Sequence, residues 1–109
     1  MHELAIAQGI ITEVTKHIGA LKVTRVVVEV GAFTTVAPHA LRFAFDVCTK
    51  ETQLAGAALE VVEVAGRARC RDCGNEATLE SPIAFCPCRS LDFELLSGHE
   101  LKIREVEVL

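Results

Sequence analysis

Four cysteines in two close pairs constrain the fold of this 109-residue chain more than any other feature. Cys70 and Cys73 form a C-x-x-C pair, and Cys86 and Cys88 form a C-x-C pair that is one residue tighter. Two such turns brought together can direct four thiolates at one tetrahedral ion, as in closed structural zinc sites. The interval between the pairs is short for a zinc ribbon, where about 15–20 residues are usual, but it can hold a hairpin. We therefore predict a structural zinc module, without an open coordination position for catalysis.

The tighter second pair leaves alternatives open. A C-x-C pair can chelate a metal, but its backbone cannot follow the path of a C-x-x-C turn. If Cys88 is not a ligand, then Asp72, Asp92, His99 or a water completes the site. A redox dithiol is another interpretation, which requires a lowered thiol pKa beside a helix N-terminus; incidental buried cysteines are a third. The remaining cysteine, Cys48, lies on the apolar face of a predicted helix and is interpreted as a small core residue.

The expected compartment is the cytoplasm. The first residues, MHELAIAQGI, lack a cationic region and do not resemble a secretory signal, and no apolar run is long enough to span a membrane. Thiols stay reduced in the cytoplasm, where paired cysteines bind metal more often than they form disulfides. The formal net charge of -4 at pH 7 argues against sustained binding to nucleic acid.

Two helices are predicted from apolar residues spaced by three and four. The first covers Glu3–Ile18, with an apolar face of Leu4, Ala7, Ile11, Val14 and Ile18. The second begins near Pro38 and runs to Lys50, with Thr34 and Thr35 as candidate caps. Its predicted buried face consists of Leu41, Ala44, Phe45 and Cys48.

Three strands are predicted from β-branched residues and alternating polarity, at residues 22–30, 58–64 and 100–108. The predicted fold is therefore α+β, with two helices on a small three-stranded sheet. The cysteine module is a zinc-ribbon-like insertion before the last strand. We predict that residues 1–66 and 97–109 form one domain and that residues 67–96 form the zinc-binding module.

The amino terminus contains a second potential metal site. The α-amine, the backbone amide nitrogen of His2 and its imidazole can close fused chelate rings around one ion, and Ni(II) accepts square-planar nitrogen ligation. Glu3 can add a donor, or it can simply place a favourable charge in the first helical turn. Taken alone, the tripeptide does not distinguish a nickel site from an ordinary helix start. His17 and His39 are interpreted as solvated helix residues.

Several segments together resemble the HypA/HybF family of hydrogenase-maturation nickel chaperones. These segments are MHELAIAQGI, VVVEVGAFTTVAPHALRFAFD, AGAALEV, CRDCG, CPCRS and SGHELKIREVEV. The resemblance covers nearly the full length and implies that His2 is a nickel ligand supported by Glu3. It also implies that Cys70, Cys73, Cys86 and Cys88 hold a structural zinc. The chain departs from the family at the second pair, where the pattern C-P-x-C-G is shortened to Cys86–Pro87–Cys88–Arg89.

The resemblance further implies a carrier that delivers Ni(II) to the large subunit of a [NiFe] hydrogenase, and in some relatives to urease. The implied partner is a nickel-binding GTPase of the HypB type. We expect no enzymatic activity, because the sequence contains no nucleophile–base motif, phosphate-binding glycine loop or H-E-x-x-H. The alternative is a zinc-ribbon module that binds nucleic acid or protein through four arginines near the cysteines: Arg67, Arg69, Arg71 and Arg89.

Overall fold

The structure, a computed structural model, describes residues 2–80 and 86–109. It contains two α-helices and six β-strands, with a short 3-10 turn before the second helix. In chain order these are α1 (Glu3–Ile18), β1 (Val23–Gly31), the turn (Ala32–Thr34), α2 (Pro38–Cys48), β2 (Ala58–Val64), β3 (Gly66–Cys70), β4 (Glu76–Leu79), β5 (Phe93–Ser97) and β6 (Leu101–Val108). The predicted order of helices, strands and inserted module is confirmed.

The described chain divides into two compact units. The first consists of Met1–Glu29, Val36–Val62 and Lys102–Leu109. The second consists of Val30–Thr35 and Glu63–Leu101. The second unit is larger than the predicted module of residues 67–96, because it also includes residues 63–66 and 97–101 and the segment Val30–Thr35, which begins at the end of the first strand. The assignment of nickel binding to one domain and zinc binding to the other stays a prediction.

The first unit is built around a three-stranded sheet in the order β2-β1-β6. Its central strand β1 is dense in valine, and the consecutive residues Val26, Val27 and Val28 are all buried. Apolar residues on both of its faces are therefore removed from water, and such burial is the main favourable contribution to folding. The two helices pack against each other. The α2 face was predicted correctly, since Leu41, Ala44 and Phe45 are buried and Cys48 is half-buried.

The buried face of α1 differs from the predicted one. Ala7 and Val14 are buried as expected, but the other fully buried positions are Glu3 and Ile10, and Leu4 is 54% exposed. Glu3 is thus buried in place of the predicted Leu4, and Ile10 is buried in place of the predicted Ile11. Glu3 can occupy a buried position because its carboxylate has a hydrogen-bond partner, the backbone N–H of Ala37 at 3.0 Å.

The same hydrogen bond corrects the predicted cap of α2. The residue at the N-cap is Ala37 rather than Thr34 or Thr35, and it provides no side-chain hydrogen bond. Thr34 instead donates its hydroxyl to the carbonyl of Gly31, and Thr35 donates to the carbonyl of Thr34. Pro38 occupies the first helical turn, as predicted. A carboxylate from another helix therefore binds the cap residue's N–H, which is the task that a glutamate three residues after the cap performs in a capping box.

The second unit contains an antiparallel sheet in the order β4-β3-β5. The central strand β3 ends at Cys70, which lies opposite Phe93 at the start of β5. The segment from Asp92 is also fixed to the first cysteine turn, because the N–H of Arg71 donates to the carbonyl of Asp92 at 2.9 Å. The sheet thereby brings the two cysteine pairs to the same end of the module.

The segment Val30–Thr35 belongs to the second unit because of backbone pairing and one aromatic ring. The N–H of Gly31 donates to the carbonyl of Glu100, and the N–H of Phe33 donates to the carbonyl of Gly98. The Phe33 ring occupies the space where side chains on Gly66 and Gly98 would be. The sequence segments VGAF and SGHEL, which are 64 or more positions apart in the chain, are therefore parts of one packing arrangement.

No helix among residues 2–80 and 86–109 is long and apolar enough to cross a membrane.

Candidate metal sites

The structure brings all four predicted zinc ligands together. The Sγ atoms of Cys70, Cys73, Cys86 and Cys88 lie within 4.8 Å of one another. The closest pairs join the two turns, with 3.6 Å between the Sγ atoms of Cys70 and Cys88 and 3.5 Å between those of Cys73 and Cys86. It is the only group of three or more potential metal ligands found in the described part of the chain. Cys88 therefore belongs to the cluster despite the shortened second pair.

These distances fit a shared metal ion and do not fit disulfides. Four sulfurs at about 2.3 Å from one zinc ion, in tetrahedral geometry, lie about 3.8 Å from one another. A disulfide would require about 2.05 Å between two sulfurs, and all five cysteines are free. Moreover, the contacts between Cys70 and Cys88 and between Cys73 and Cys86 each join one turn to the other, so the four thiols form one cluster, whereas a C-x-x-C redox dithiol would need Cys70 and Cys73 alone. The arrangement suits a four-thiolate site better than a redox site.

Backbone hydrogen bonds shape the first turn, which we call knuckle 1 (Cys70–Asn75). The N–H of Gly74 donates to the carbonyl of Cys70 at 2.8 Å, and the N–H of Cys70 donates to the carbonyl of Asn75 at 2.8 Å. Gly74 has a φ of 78°, in the left-handed region that glycine adopts without steric cost. The N–H groups of Cys73 and Asp72 also donate to the Cys70 sulfur.

The second turn, knuckle 2 (Cys86–Ser90), reproduces this pattern with one residue fewer. The N–H of Arg89 donates to the carbonyl of Cys86 at 2.7 Å, and the N–H of Cys86 donates to the carbonyl of Ser90 at 2.9 Å. Arg89 has a φ of 75°, close to that of Gly74 in knuckle 1. The N–H of Cys88 donates to the Cys86 sulfur, and that of Ser90 donates to the Cys88 sulfur. The deletion therefore shortens the loop while every type of backbone contact is kept.

The thiol pKa values differ in the direction expected for four thiols that share one small volume. The backbone N–H of Cys73, together with that of Asp72, stabilises the Cys70 thiolate and lowers the pKa of Cys70 to about 6. The N–H of Cys88 also stabilises the Cys86 thiolate, but burial and the neighbouring thiol groups outweigh it and raise the pKa of Cys86 to about 12. The Cys70 thiolate therefore forms readily. Four thiolates at such short distances repel one another, so ionisation of all four cysteines requires a cation between them. A divalent ion that prefers thiolate ligands fits this donor set.

The alternative fourth ligands are occupied elsewhere or lie outside the cluster. The Asp92 carboxylate forms an ion pair with Arg71 at 3.7 Å, and the His99 ring packs against the Phe33 ring with 5.5 Å between centroids. Asp72 is exposed on knuckle 1 and contributes its backbone N–H to the Cys70 sulfur. None of these side chains belongs to the group that contains the four sulfurs.

The predicted amino-terminal site is arranged differently. His2 is exposed at the N-cap position of α1, and its side chain makes no capping hydrogen bond. Glu3 is only 7% exposed, with its carboxylate on the N–H of Ala37. The α-amine of Met1 lies outside the described residues. The other two helix histidines, His17 and His39, are exposed as expected.

Three of the four arginines near the cysteines are paired with carboxylates of the same unit. Arg67 and Arg69 contact Glu76 at 3.5 and 3.4 Å, and Arg69 also contacts Glu94 at 3.2 Å. Arg71 forms the pair with Asp92 described above. These pairs are exposed and stabilise the fold little, but they neutralise the charge that a nucleic-acid interface would need. This observation weakens the nucleic-acid alternative.

Comparison with known proteins assigns the family. Residues 1–108 match the family model HypA, described as hydrogenase/urease nickel incorporation, metallochaperone. The chain belongs to the HypA family. One relative, the hydrogenase maturation factor HypA of Nostoc punctiforme, is 46% identical over 108 residues that cover 99% of this chain and 96% of the relative. The factor of the same name from Geotalea uraniireducens is 40% identical and covers 99% of both chains.

The HypA fold is also found among solved structures. The solution structure of the Ni metallochaperone HypA from Helicobacter pylori superposes with a TM-score of 0.67 at 25% identity. The match covers 100% of this chain and 98% of that one. The predicted family, the α+β fold and the class of hydrogenase maturation factors are thereby confirmed.

The sequence interpretation missed the residues that close the two knuckles. Asn75 and Ser90 each supply the carbonyl that accepts the N–H of the first cysteine in the pair. Arg89 was noted only as part of a basic cluster and as a departure from the family pattern. The sequence does contain one indication of the turn at Arg89. Gly74 and Arg89 each follow directly after the second cysteine of a pair, so Arg89 occupies the position of the turn glycine.

Proposed function

We propose that this chain is a nickel metallochaperone that binds Ni(II) at its amino terminus and delivers it to the large subunit of a [NiFe] hydrogenase. The match to the HypA family over residues 1–108 carries this proposal. A GTPase of the HypB type is the proposed partner in delivery, urease is a possible second client, and the cytoplasm is the proposed compartment. The chain acts as a carrier and not as a catalyst.

Nickel binding at His2 is supported by its position in the chain. The residue precedes the first turn of α1 and is exposed, so that its imidazole is not used in the core. The terminal amine, the His2 amide nitrogen and the imidazole can supply three nitrogen donors to a square-planar ion. Glu3 supports this site, either as a further donor or by fixing the start of α1 through its hydrogen bond to Ala37. An exposed chelate is accessible to an acceptor protein, as a transferred ion requires.

Zinc is the proposed ion of the cysteine cluster. Cys70, Cys73, Cys86 and Cys88 supply four sulfurs, and zinc sites with this ligand set are closed. Such an ion stabilises the knuckles and leaves no coordination position for nickel cargo. The two sites therefore select different ions by ligand type, with soft thiolates at one and nitrogen donors at the other.

Calorimetric titration with NiCl2 tests the nickel site. We expect His2→Ala to lose Ni(II) binding, because the imidazole anchors the chelate, while the free energy of unfolding changes by less than about 0.5 kcal/mol. A second variant with one residue added before Met1 keeps His2 but moves the amine, and it should lose binding as well. His17→Ala is the matched control, since it removes an exposed histidine from the other end of the same helix.

Equal nickel affinities in wild type and His2→Ala would overturn the amino-terminal site. Zinc content, measured on the same preparations, should stay near one equivalent per chain in all variants. A coupled loss of zinc would show that the substitution had acted through the fold and not through the ligand.

A further inference from the structure

The two knuckles differ at one position in a way that affects metal binding. Gly74 and Arg89 occupy the same place, directly after the second cysteine of each pair, and both have a φ near +75° to +78°. Glycine adopts this conformation freely, whereas a residue with a Cβ atom adopts it at a steric cost. Arg89 thus holds a left-handed conformation in a loop that is already one residue short.

Cys86 and Cys88 can reach the cluster only if the backbone at Arg89 has this left-handed conformation. In knuckle 2 the N–H of Arg89 reaches back to the carbonyl of Cys86 at 2.7 Å, and the N–H of Ser90 reaches the sulfur of Cys88. Both contacts depend on the chain reversing at Arg89. The reversal places the Cys86 and Cys88 sulfurs beside those of knuckle 1, at 3.5 and 3.6 Å from their nearest partners.

The side chain of Arg89 does not explain its presence in this conformation. Arg67, Arg69 and Arg71 each contact a carboxylate, but among residues 2–80 and 86–109 the Arg89 guanidinium forms no ion pair. Arg89 is exposed. Within the described residues, no ion pair of the guanidinium therefore offsets the steric cost of the backbone conformation.

We infer that Arg89 is a positioning residue that sets the zinc affinity of this chain, because the turn that brings the Cys86 and Cys88 sulfurs to the cluster requires a left-handed backbone conformation that a residue with a Cβ atom adopts at a steric cost. This inference rests on the proposed zinc site. The steric cost of the left-handed conformation at Arg89 lowers the net free energy of zinc binding by the four-cysteine cluster. The arginine is not a ligand, and its effect is transmitted through the two cysteines that flank the reversal.

A substitution series at Arg89 tests this inference in the full-length protein. Zinc affinity is measured by competition with a chromophoric chelator, and thiolate ligation is followed by the charge-transfer absorption of the Co(II)-substituted protein. Arg89→Gly should tighten zinc binding about fivefold, because the steric cost of the left-handed conformation is removed. Arg89→Asn should lie between Gly and wild type, Arg89→Lys should equal wild type, and Arg89→Val should weaken binding.

Two control variants separate local from general effects. Gly74→Arg places the same strain in knuckle 1 and should weaken zinc binding by a similar factor. Glu51 also has a positive φ, 64°, but it is exposed and belongs to the first unit. Glu51→Gly should therefore leave zinc affinity unchanged.

The outcomes distinguish this inference from the proposed function. If Arg89 and Arg89→Lys group together against the neutral Gly, Asn and Val variants, charge sets the affinity and the inference is wrong. Equal affinities across the series would also overturn it. If wild-type protein binds no zinc near one equivalent, the zinc site itself is wrong. Should Arg89→Val fail to fold, Arg89→Gln separates the two explanations, because it removes the charge and keeps the steric cost: it should bind zinc as wild type does, and binding as tight as that of Arg89→Gly would overturn the inference.

Discussion

The cysteine cluster and the amino terminus are built on opposite principles, although both are predicted to bind metal. The four cysteine sulfurs already lie within 4.8 Å of one another, held by backbone hydrogen bonds in two turns. His2 is exposed, and its side chain makes no capping contact. A closed four-thiolate site retains its ion, whereas an exposed chelate is suited to transfer.

The cysteine cluster and the amino terminus also differ in how they are connected to the fold. Cys70 ends the central strand of a sheet, so the cluster and the sheet stabilise each other. At the amino terminus the Glu3 side chain is held by its hydrogen bond to Ala37, whereas His2 is attached to the helix through its backbone carbonyl, which accepts the N–H of Ile6, and its side chain makes no capping hydrogen bond. Loss of the cluster should thus damage its own unit, while loss of His2 should affect binding alone.

The largest expected effect comes from Cys88→Ser, which removes the second cysteine of the shortened pair from the cluster. Because ligation and folding of a small metal module are coupled, we expect loss of most of the bound zinc and of order in residues near 67–92. The helices of the first unit should remain. Zinc content and amide hydrogen exchange measure the two effects.

Cys48→Ser is the control for this substitution, since Cys48 is half-buried on α2 and lies outside the cluster. It should keep one equivalent of zinc and the Co(II) thiolate absorption. If Cys88→Ser also keeps both, Cys88 is not a ligand and the comparison between a closed and an open site loses its basis.

The sequence was sufficient to predict both helices and the strands β1, β2 and β6, because their signals are local, whereas β3, β4 and β5 within the cysteine module were not predicted as strands. The apolar spacing of α1, the valines of β1 and the cysteine pairs each determine a short segment, and α1 and β2 have the predicted bounds. The family resemblance implied which ion is structural and which is transferred, a distinction that the spacing of the cysteines and histidines alone leaves open. The sequence identifies Cys88 as a candidate zinc ligand. Whether its sulfur reaches the other three depends on the backbone path of the C-x-C turn, which the sequence does not determine.

The features that the sequence did not reveal are contacts between distant segments. Nothing near Glu3 indicates that its carboxylate binds the N–H of Ala37, 34 residues away, so Leu4 was assigned to the core instead. Thr34 and Thr35 fit the residue preferences of a cap, but a carboxylate from α1 binds the N–H of the cap residue. The turn at Arg89 was hidden for another reason, since arginine is an uncommon residue at positive φ.

A moderate effect is expected from substitution of Glu3, which sharpens the distinction between support and ligation. Glu3→Ala removes the acceptor of the Ala37 N–H and should lower the melting temperature by about 4–8 °C, as for loss of one helix cap. Glu3→Gln keeps a carbonyl acceptor in the same place and should lower it less. Differential scanning calorimetry measures both.

Nickel titration of the same variants tests the role of Glu3 at the amino terminus. Glu3→Gln should retain measurable Ni(II) binding, because the amine, amide and imidazole nitrogens are unchanged, whereas His2→Ala should not. If Glu3→Gln abolishes binding while its melting temperature equals that of wild type, the carboxylate is an essential ligand and not mainly a support.

The smallest expected effect concerns Gly9, in the middle of the helix that carries His2 and Glu3. A glycine inside a helix costs about 0.5–1 kcal/mol relative to alanine, and a Cβ atom at Gly9 would meet no atom within 4 Å. Gly9→Ala should therefore stabilise the first unit by that amount, measured by urea denaturation, with unchanged nickel and zinc affinities. Gly98→Ala is the opposite control, because its Cβ would overlap the Phe33 ring and should destabilise the second unit. If Gly9→Ala weakens nickel binding despite higher stability, then flexibility of α1 contributes to the open site, and the two metal sites differ in backbone mobility as well as in ligands.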